Sequence, residues 1–231
     1  MSRLVAIVSS DHHMGDGSAR DDVRRSDGLR LLAEVGHIGD MIGDTGAKVV
    51  LVGDVLDAWR YRLPDCIKAH RRQLQALANL NPIYLVGNHD VALLRNDAPV
   101  LPAGFELRRL ATVGGWYICH GDQFDPNPVF WRKVGKAGCR VLAKLGGWWP
   151  AAEDWLSNAA GRIEGVGRWG GVDHYEEAAV RHATACGLRG AILGHTHRGS
   201  IGATYVNTGT WREKGWVLMR EDGTGEWWGL W

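Results

Sequence analysis

The chain has 231 residues, enough for one large domain, or for a domain carrying a sizeable insertion, around a substantial core. Its formal charge is +1, which excludes the broad basic field that drives non-specific nucleic-acid binding, and no stretch approaches the length and apolarity of a membrane span. Four cysteines (Cys66, Cys119, Cys139 and Cys186) stand far apart with no CxxC pair, a usage expected of reduced thiols in a cytoplasmic protein. The apolar run at residues 4–8 is too short for a signal peptide.

Residues 3–10 read as a strand that breaks into a polar loop at Asp11 and His13. A helix follows over about 23–43, with an apolar stripe from Val23, Leu31, Leu32, Val35, Ile38 and Ile42. Residues 48–52 form a second strand, ending in Gly53-Asp54-Val55-Leu56-Asp57. Pro64 and Asp65 open a helix that runs to about Leu80, and Lys68, His70, Arg71 and Arg72 read as its solvated basic face. Residues 82–86 give a third strand, ending at Gly87-Asn88-His89-Asp90; residues 96–114 read as irregular; a strand at 116–119 ends at His120-Gly121-Asp122.

Residues 124–172 hold a helical insertion. Phe130, Val134, Ala137, Val141 and Leu145 recur at helical spacing opposite Arg132, Lys133, Lys136, Arg140 and Lys144, and Pro150 starts a second helix after Gly146-Gly147. Trp131, Trp148, Trp149, Trp155 and Trp169, out of 12 tryptophans in the chain, crowd into this segment. Beyond it come a helix from Asp173 to near Gly187 and a strand at 191–193 ending in Gly194-His195-Thr196-His197. Antiparallel strands follow from Ile201, with a hairpin turn at Asp222-Gly223. Short apolar runs ending in Gly or Ser read as buried parallel strands, whose carboxyl ends collect ligands in open α/β sheets. A parallel half followed by an antiparallel half predicts two sheets packed face to face with helices outside.

The polar residues that end the strands form a metal-ligand set: Asp11, His13, Asp54, Asn88, His120, His195 and His197. Asp11/His13 and His195/His197 are spaced i, i+2, which in extended backbone puts both side chains on one side, so that each pair can grip one ion. Imidazole, carboxylate and amide oxygen together suit Mn²⁺, Fe²⁺ or Zn²⁺. The set exceeds one tetrahedral site, and a carboxylate shared between two ions leaves open positions for water, as a catalytic site requires. Asp54, on the central strand, is the candidate for sharing.

The ordered motifs Asp-x-His, Gly-Asp-x-x-Asp, Gly-Asn-His-Asp, His-Gly-Asp and Gly-His-Thr-His, spanning residues 11–197, resemble those of the calcineurin-like metallophosphoesterase superfamily. The resemblance implies an α/β fold, a four-layer αββα sandwich of two packed mixed sheets flanked by helices. It implies one ion on Asp11, His13, Asp54 and His197 and another on Asp54, Asn88, His120 and His195, with Asp54 and a water or hydroxide bridging them. Mn²⁺ leads the expected metals, with Fe²⁺, Zn²⁺, Ni²⁺ and Co²⁺ as others. His89 resembles the family's histidine near the scissile phosphate, and Asp57 the carboxylate that orients it.

Within the superfamily, phosphoprotein phosphatases carry Arg after the second Asp of Gly-Asp-x-x-Asp, where this chain has Ala58-Trp59. The phrase through Trp59, the final Gly-His-Thr-His-Arg and Val206-Asn207-Thr208-Gly209 look more like the UDP-2,3-diacylglucosamine hydrolase branch. That branch uses a helical insertion after His-Gly-Asp as a lid over acyl chains, which implies substrate contacts for Trp148 and Trp149 and peripheral contact with the inner membrane face. Its best-known members have Arg where this chain has His89. A satellite core closing the insertion is the other reading of the tryptophans. The expected partner is a small phosphorylated, lipid-like substrate, with no specific nucleic-acid binding. A phosphodiesterase or nucleotide phosphatase of the same superfamily is the alternative. A non-catalytic scaffold, such as the retromer subunit that shares the fold, would be expected to have lost ligands, and here every position is filled.

Overall fold

Successive residues of the first strand belong to different cores. In β1 (Leu4–Ser9), Ile7 packs against helices while Ala6 and Val8 face a second sheet, the period of two expected of a strand buried on both sides. The computed structural model describes residues 2–124 and 172–230.

The first sheet has the order β11-β10-β1-β2-β3-β4, with β2 at Lys48–Val52, β3 at Ile83–Leu85, β4 at Glu106–Arg108, β10 at Trp216–Arg220 and β11 at Gly225–Trp228. β1 to β4 run parallel, and β10 is antiparallel to both β1 and β11. The second sheet has the order β5-β6-β7-β9-β8, with β5 at Leu110–Val113, β6 at Trp116–Cys119, β7 at Gly190–Leu193, β8 at Ser200–Ile201 and β9 at Tyr205–Asn207. Both sheets are mixed.

Among the described residues three cores separate four layers. Leu31, Val35 and Ile38 of α1 (Arg25–Thr45), with Leu74 and Leu77 of α3 (Arg71–Ala78), pack on Ile7, Val49 and Leu51. Each such side chain contributes about 1.5–3 kcal/mol by leaving water. Val8, Val50 and Val52 meet Ile118, Ile192 and Val206 between the sheets. Tyr117, Ala191, Leu193 and Tyr205 meet Ala179 and Ala183 of α4 (Val172–Ala185) on the far side. The αββα order expected from the motifs is the order found.

α1 starts where Asp27 accepts the Arg24 N–H at 3.0 Å, and it ends at Gly46, whose left-handed φ of 68° lets its N–H reach the Ile42 carbonyl. The helix expected from Pro64 to Leu80 is two, α2 (Leu63–Ala69) and α3, broken at His70. His70 is not on a solvated face: it is buried and bonds Asp21 at 2.7 Å, a tertiary contact that outweighs helical continuity. Residues 96–114 are not wholly irregular either. They hold β4 and β5, and Arg109 between them marks the crossing from one sheet to the other. The tail is not all antiparallel: β9 runs parallel to β7, and a short helix, α5 (Trp211–Lys214), precedes the β10–β11 hairpin. The turn at Asp222-Gly223 is as expected, with the Gly223 N–H on the Arg220 carbonyl. The expected insertion, with Trp148 and Trp149, lies outside the described residues.

Candidate metal centre

The loops that follow β1, β2, β3, β6 and β7 lie together. The ladder between β1 and β2 continues past their ends: the N–H groups of Asp11, His13 and Met14 donate to the carbonyls of Gly53, Asp54 and Val55 at 3.0, 3.0 and 2.9 Å. Other side chains and loops cross between strands. The His89 N–H donates to Asp54 Oδ1 at 2.9 Å, the Gly194 N–H to the His120 carbonyl at 2.9 Å, and the His195 N–H to Asp11 Oδ2 at 3.1 Å.

Five candidate ligands have left-handed backbone: Asp11 (φ 51°), His13 (50°), Asp54 (52°), His195 (67°) and His197 (58°). Each costs about 1–3 kcal/mol for a residue with a Cβ, and such strain persists only where surrounding bonds over-determine it. The glycine before a ligand has a different reason. A Cβ on Gly87 would run into the Asp54 carboxylate, and one on Gly194 would stand 2.5 Å from both Asp11 Oδ2 and Ser10 Oγ.

Among the described residues three groups of ligand-type atoms result, each within 4.8 Å: Asp11, His13 and His197; Asp54, His120 and His195; and His13, Asp57 and His89. Asn88 joins the second, its Oδ1 lying 3.0 Å from His120 Nε2. The i, i+2 argument therefore fails for His195 and His197, which fall in different groups; Asp11 and His13 do share one, although none of the four has the extended backbone on which the argument rests. Asp54 is grouped with His120 and His195, its Oδ2 at 3.1 Å from His120 Nε2.

A family model for calcineurin-like phosphoesterase matches residues 5–199, most of the chain and every candidate ligand. The chain belongs to the calcineurin-like phosphoesterase family. No curated protein matches it.

Family members normally bind divalent metals, and the donors of this phosphoesterase suit such ions. Buried Asp11 Oδ1 accepts no hydrogen bond among the described residues, while His197 Nε2 and His13 Nε2 face it at 3.2 and 3.7 Å. Those two nitrogens are 3.1 Å apart, aimed at one region. His120 points its Nδ1 at the Val52 carbonyl at 2.8 Å, which fixes the proton there and leaves Nε2 to face Asp54.

The electrostatics are those of carboxylates buried among imidazoles. Burial alone would lower His13, but its contact with Asp11 and the charges of Asp54, Asp11 and Asp57 push it up to about 10. His120 is likewise lowered by burial and raised more by Asp54, to about 10. Burial raises Asp11 and Asp54, yet the histidines around them hold both below the usual carboxylate range. His89 is raised: burial opposes this, but the Asp54 charge and the Asp57 hydrogen bond prevail. The His89 ring turns Nδ1 to Asp57 Oδ1 at 2.9 Å and Nε2 toward Asp54 Oδ2 at 3.9 Å.

Several supporting residues, Asp90, Asp122 and Thr208 of the quoted motifs among them, have roles that the sequence did not assign. Asp90 takes the Tyr84 hydroxyl at 2.6 Å and the N–H groups of Val55 and Gly87 at 2.9 and 2.7 Å, tying two ligand loops together. Ser10 Oγ meets Thr208 Oγ1 at 2.5 Å and also bonds Asp11, joining the ends of β1 and β9. Arg109 grips both Asp122 oxygens and the Val86 carbonyl. His12 is buried, stacked on Trp211 at 5.3 Å and edge-on to Trp216, and burial pushes it down to about 3, so it is neutral packing. Glu34 accepts both indole N–H groups, at 2.8 and 3.0 Å.

Proposed function

We propose that the chain is a dinuclear metal-dependent hydrolase that cleaves a phosphodiester or pyrophosphate bond. The observation that carries the proposal is the convergence of the Asp11–His13–His197 and Asp54–His120–His195 groups, with His89 and Asp57 beside them. Asp11, His13 and His197 with Asp54 would hold one cation, and Asp54, Asn88, His120 and His195 the other, Asp54 being shared. Mn²⁺ is the first choice, and Fe²⁺, Zn²⁺, Ni²⁺ or Co²⁺ suit the same donors. When bound, such a pair of cations neutralises phosphate oxygens and activates water for in-line attack. The protein's own contribution is placement. Asp57 holds His89 by Nδ1, so Nε2 is the atom free to give a proton to the leaving oxygen.

The UDP-2,3-diacylglucosamine-type substrate is supported by the Trp59 and Gly-His-Thr-His-Arg motifs and by apolar surface beside the site. Val91 and Leu94 are exposed on the 3₁₀ turn (Val91–Leu94) that follows Asp90. Trp148 and Trp149 are proposed to add further contacts to acyl chains. A second reading, a diesterase acting on an alkyl or nucleoside ester, is favoured by His89 itself. A phosphate leaving group departs as an anion without help, whereas an alkoxide needs the proton that a histidine can supply.

Assay of the Mn²⁺-loaded protein on a diester, a monoester and a nucleotide-sugar pyrophosphate, side by side, tests the proposal. Preference for the acylated pyrophosphate, with a raised KM in Trp148→Ala/Trp149→Ala, supports the first substrate class; preference for the diester supports the second. No metal-dependent turnover of any of the three overturns both.

A further inference from the structure

Trp59 is 4% exposed and touches the site through two different parts of one side chain. Its indole Nε1–H donates to the Asn88 carbonyl at 2.7 Å. Its ring lies flat on the His89 imidazole, with centroids 4.3 Å apart and planes inclined by 12°. A second ring, that of His13, meets His89 edge-on at 4.8 Å.

A hydrogen bond from Nδ1 to Asp57 fixes one atom of the His89 ring but leaves the plane free to swing about that bond. A flat aromatic face removes this freedom, because tilting would separate the stacked surfaces or drive them together. The same indole, through its N–H, sets where the Asn88 backbone sits and hence where Oδ1 meets His120.

We propose that Trp59 is a positioning residue that couples the two functions of the Asn88-His89 step, holding the ligand amide through its N–H and the plane of the imidazole through its ring face. The inference rests on the reading of Asn88 as a metal ligand and His89 as a proton donor. It adds that neither is placed independently of the other. The residue is also local to this chemistry: Trp59 leaves the Gly-Asp-x-x-Asp loop two positions after Asp57, so a single short segment supplies both restraints on His89, the hydrogen bond and the stack.

The two halves separate by substitution. Trp59→Phe keeps an aromatic face and loses the N–H; Trp59→Leu loses both. Full-length protein is titrated with Mn²⁺ by calorimetry. The ring signals of His89 are followed by NMR in the Zn²⁺-loaded, histidine-labelled protein, where a stacked indole shifts them upfield. Hydrolysis is measured on esters of graded leaving-group basicity. Trp59→Phe should bind Mn²⁺ about 10-fold more weakly, the loss expected of one buried hydrogen bond, with its leaving-group dependence unchanged. Trp59→Leu should in addition move the His89 signals downfield and lose about 10-fold more activity on alkyl than on p-nitrophenyl esters.

Trp59→Phe with wild-type Mn²⁺ affinity overturns the inference, and so does Trp59→Leu with wild-type His89 signals and leaving-group dependence. If the leucine variant does not fold, Trp59→Phe decides the hydrogen bond, and His89 signals without an upfield shift in the wild type overturn the stack. A wild-type protein that hydrolyses neither ester nor pyrophosphate sinks the proposed function instead, while the Mn²⁺ titration and the His89 signals still judge Trp59.

Discussion

His120 Nε2 lies 3.1 Å from Asp54 Oδ2, and the other oxygen of that carboxylate is already taken by the His89 N–H at 2.9 Å. Asp54 thus binds a neighbouring loop and faces the ligand cluster at once. If it is also shared between two cations, Asp54→Asn should reduce metal content from two ions toward none, whereas His13→Ala should chiefly lose one. Elemental analysis of reloaded protein measures this; an Asp54→Asn protein that keeps two ions would show that the carboxylate is not shared.

His89→Asn should leave metal content intact and cut turnover by about 10²- to 10⁴-fold on alkyl esters. The defect on p-nitrophenyl esters should be much smaller, because p-nitrophenolate leaves unaided. Asp57→Asn should reproduce part of the pattern, since Asp57 is the group that holds His89 Nδ1. An equal loss on both ester types would reduce His89 to an electrostatic contact with phosphate.

Proton linkage follows from His13 and His120, both held up to about 10 when no cation is bound. Their folded-state values exceed the unfolded value of about 6.5, so this stabilisation is fully present below roughly pH 6.5 and is lost as pH rises toward 10. Cation binding must expel those protons. Mn²⁺ binding should therefore release protons near pH 7.5 and tighten with rising pH, as calorimetry in buffers of different ionisation enthalpy would reveal. The melting temperature of the metal-free protein should fall between pH 7 and 10, with the Mn²⁺-loaded protein falling less.

Acid sensitivity should have a separate source in the loop after His13. Asp21 accepts the N–H groups of Gly15, Gly17 and Val23 and bonds His70, and these contacts outweigh burial to hold its carboxyl below the usual range. A depressed folded value means stability that is present above about pH 4 and lost as pH falls below it. Asp21→Ala should cost about 3 kcal/mol at neutral pH and flatten the stability profile between about pH 5 and 2. Urea unfolding across that range is the measurement; an unchanged profile would remove Asp21 as the cause.

The layers were readable because β1, β2 and β7 are short apolar runs with no polar face, and such runs have few places to go other than between two packed layers. β4 and β5 were not readable. They have three and four residues and alternate exposed and covered positions, and β4 carries Glu106 and Arg108, so such short runs do not stand apart from a loop. The break at His70 depends on Asp21, 49 residues away, which no local pattern contains. At the site, the strand ends named residue types that the fold brings together, but i, i+2 spacing describes extended backbone, and it gave no means of telling that Asp11 and His13 share a group while His195 and His197 do not. His12 and His13 are neighbours of the same type; only the tryptophans around His12 distinguish packing from chemistry.

The Asp11–His13–His197 group has a consequence for the order of events during synthesis. His13 and His197 are 184 residues apart, and β10, made later still, pairs with β1 to complete the first sheet. A growing chain exposes Asp11 and His13 long before their third member exists, and a carboxylate with one imidazole is a poor trap for an ion in competition with the rest of the cell. On the proposed ligand assignment, loading should therefore follow closure, and the cation would not be a template for the growing chain. Mn²⁺ uptake by ribosome-stalled chains ending before β7 would contradict that order. A chain that closes wrongly would never offer the pocket, so incorporation of the ion would itself be a check that the loops after β1 and β7 have met.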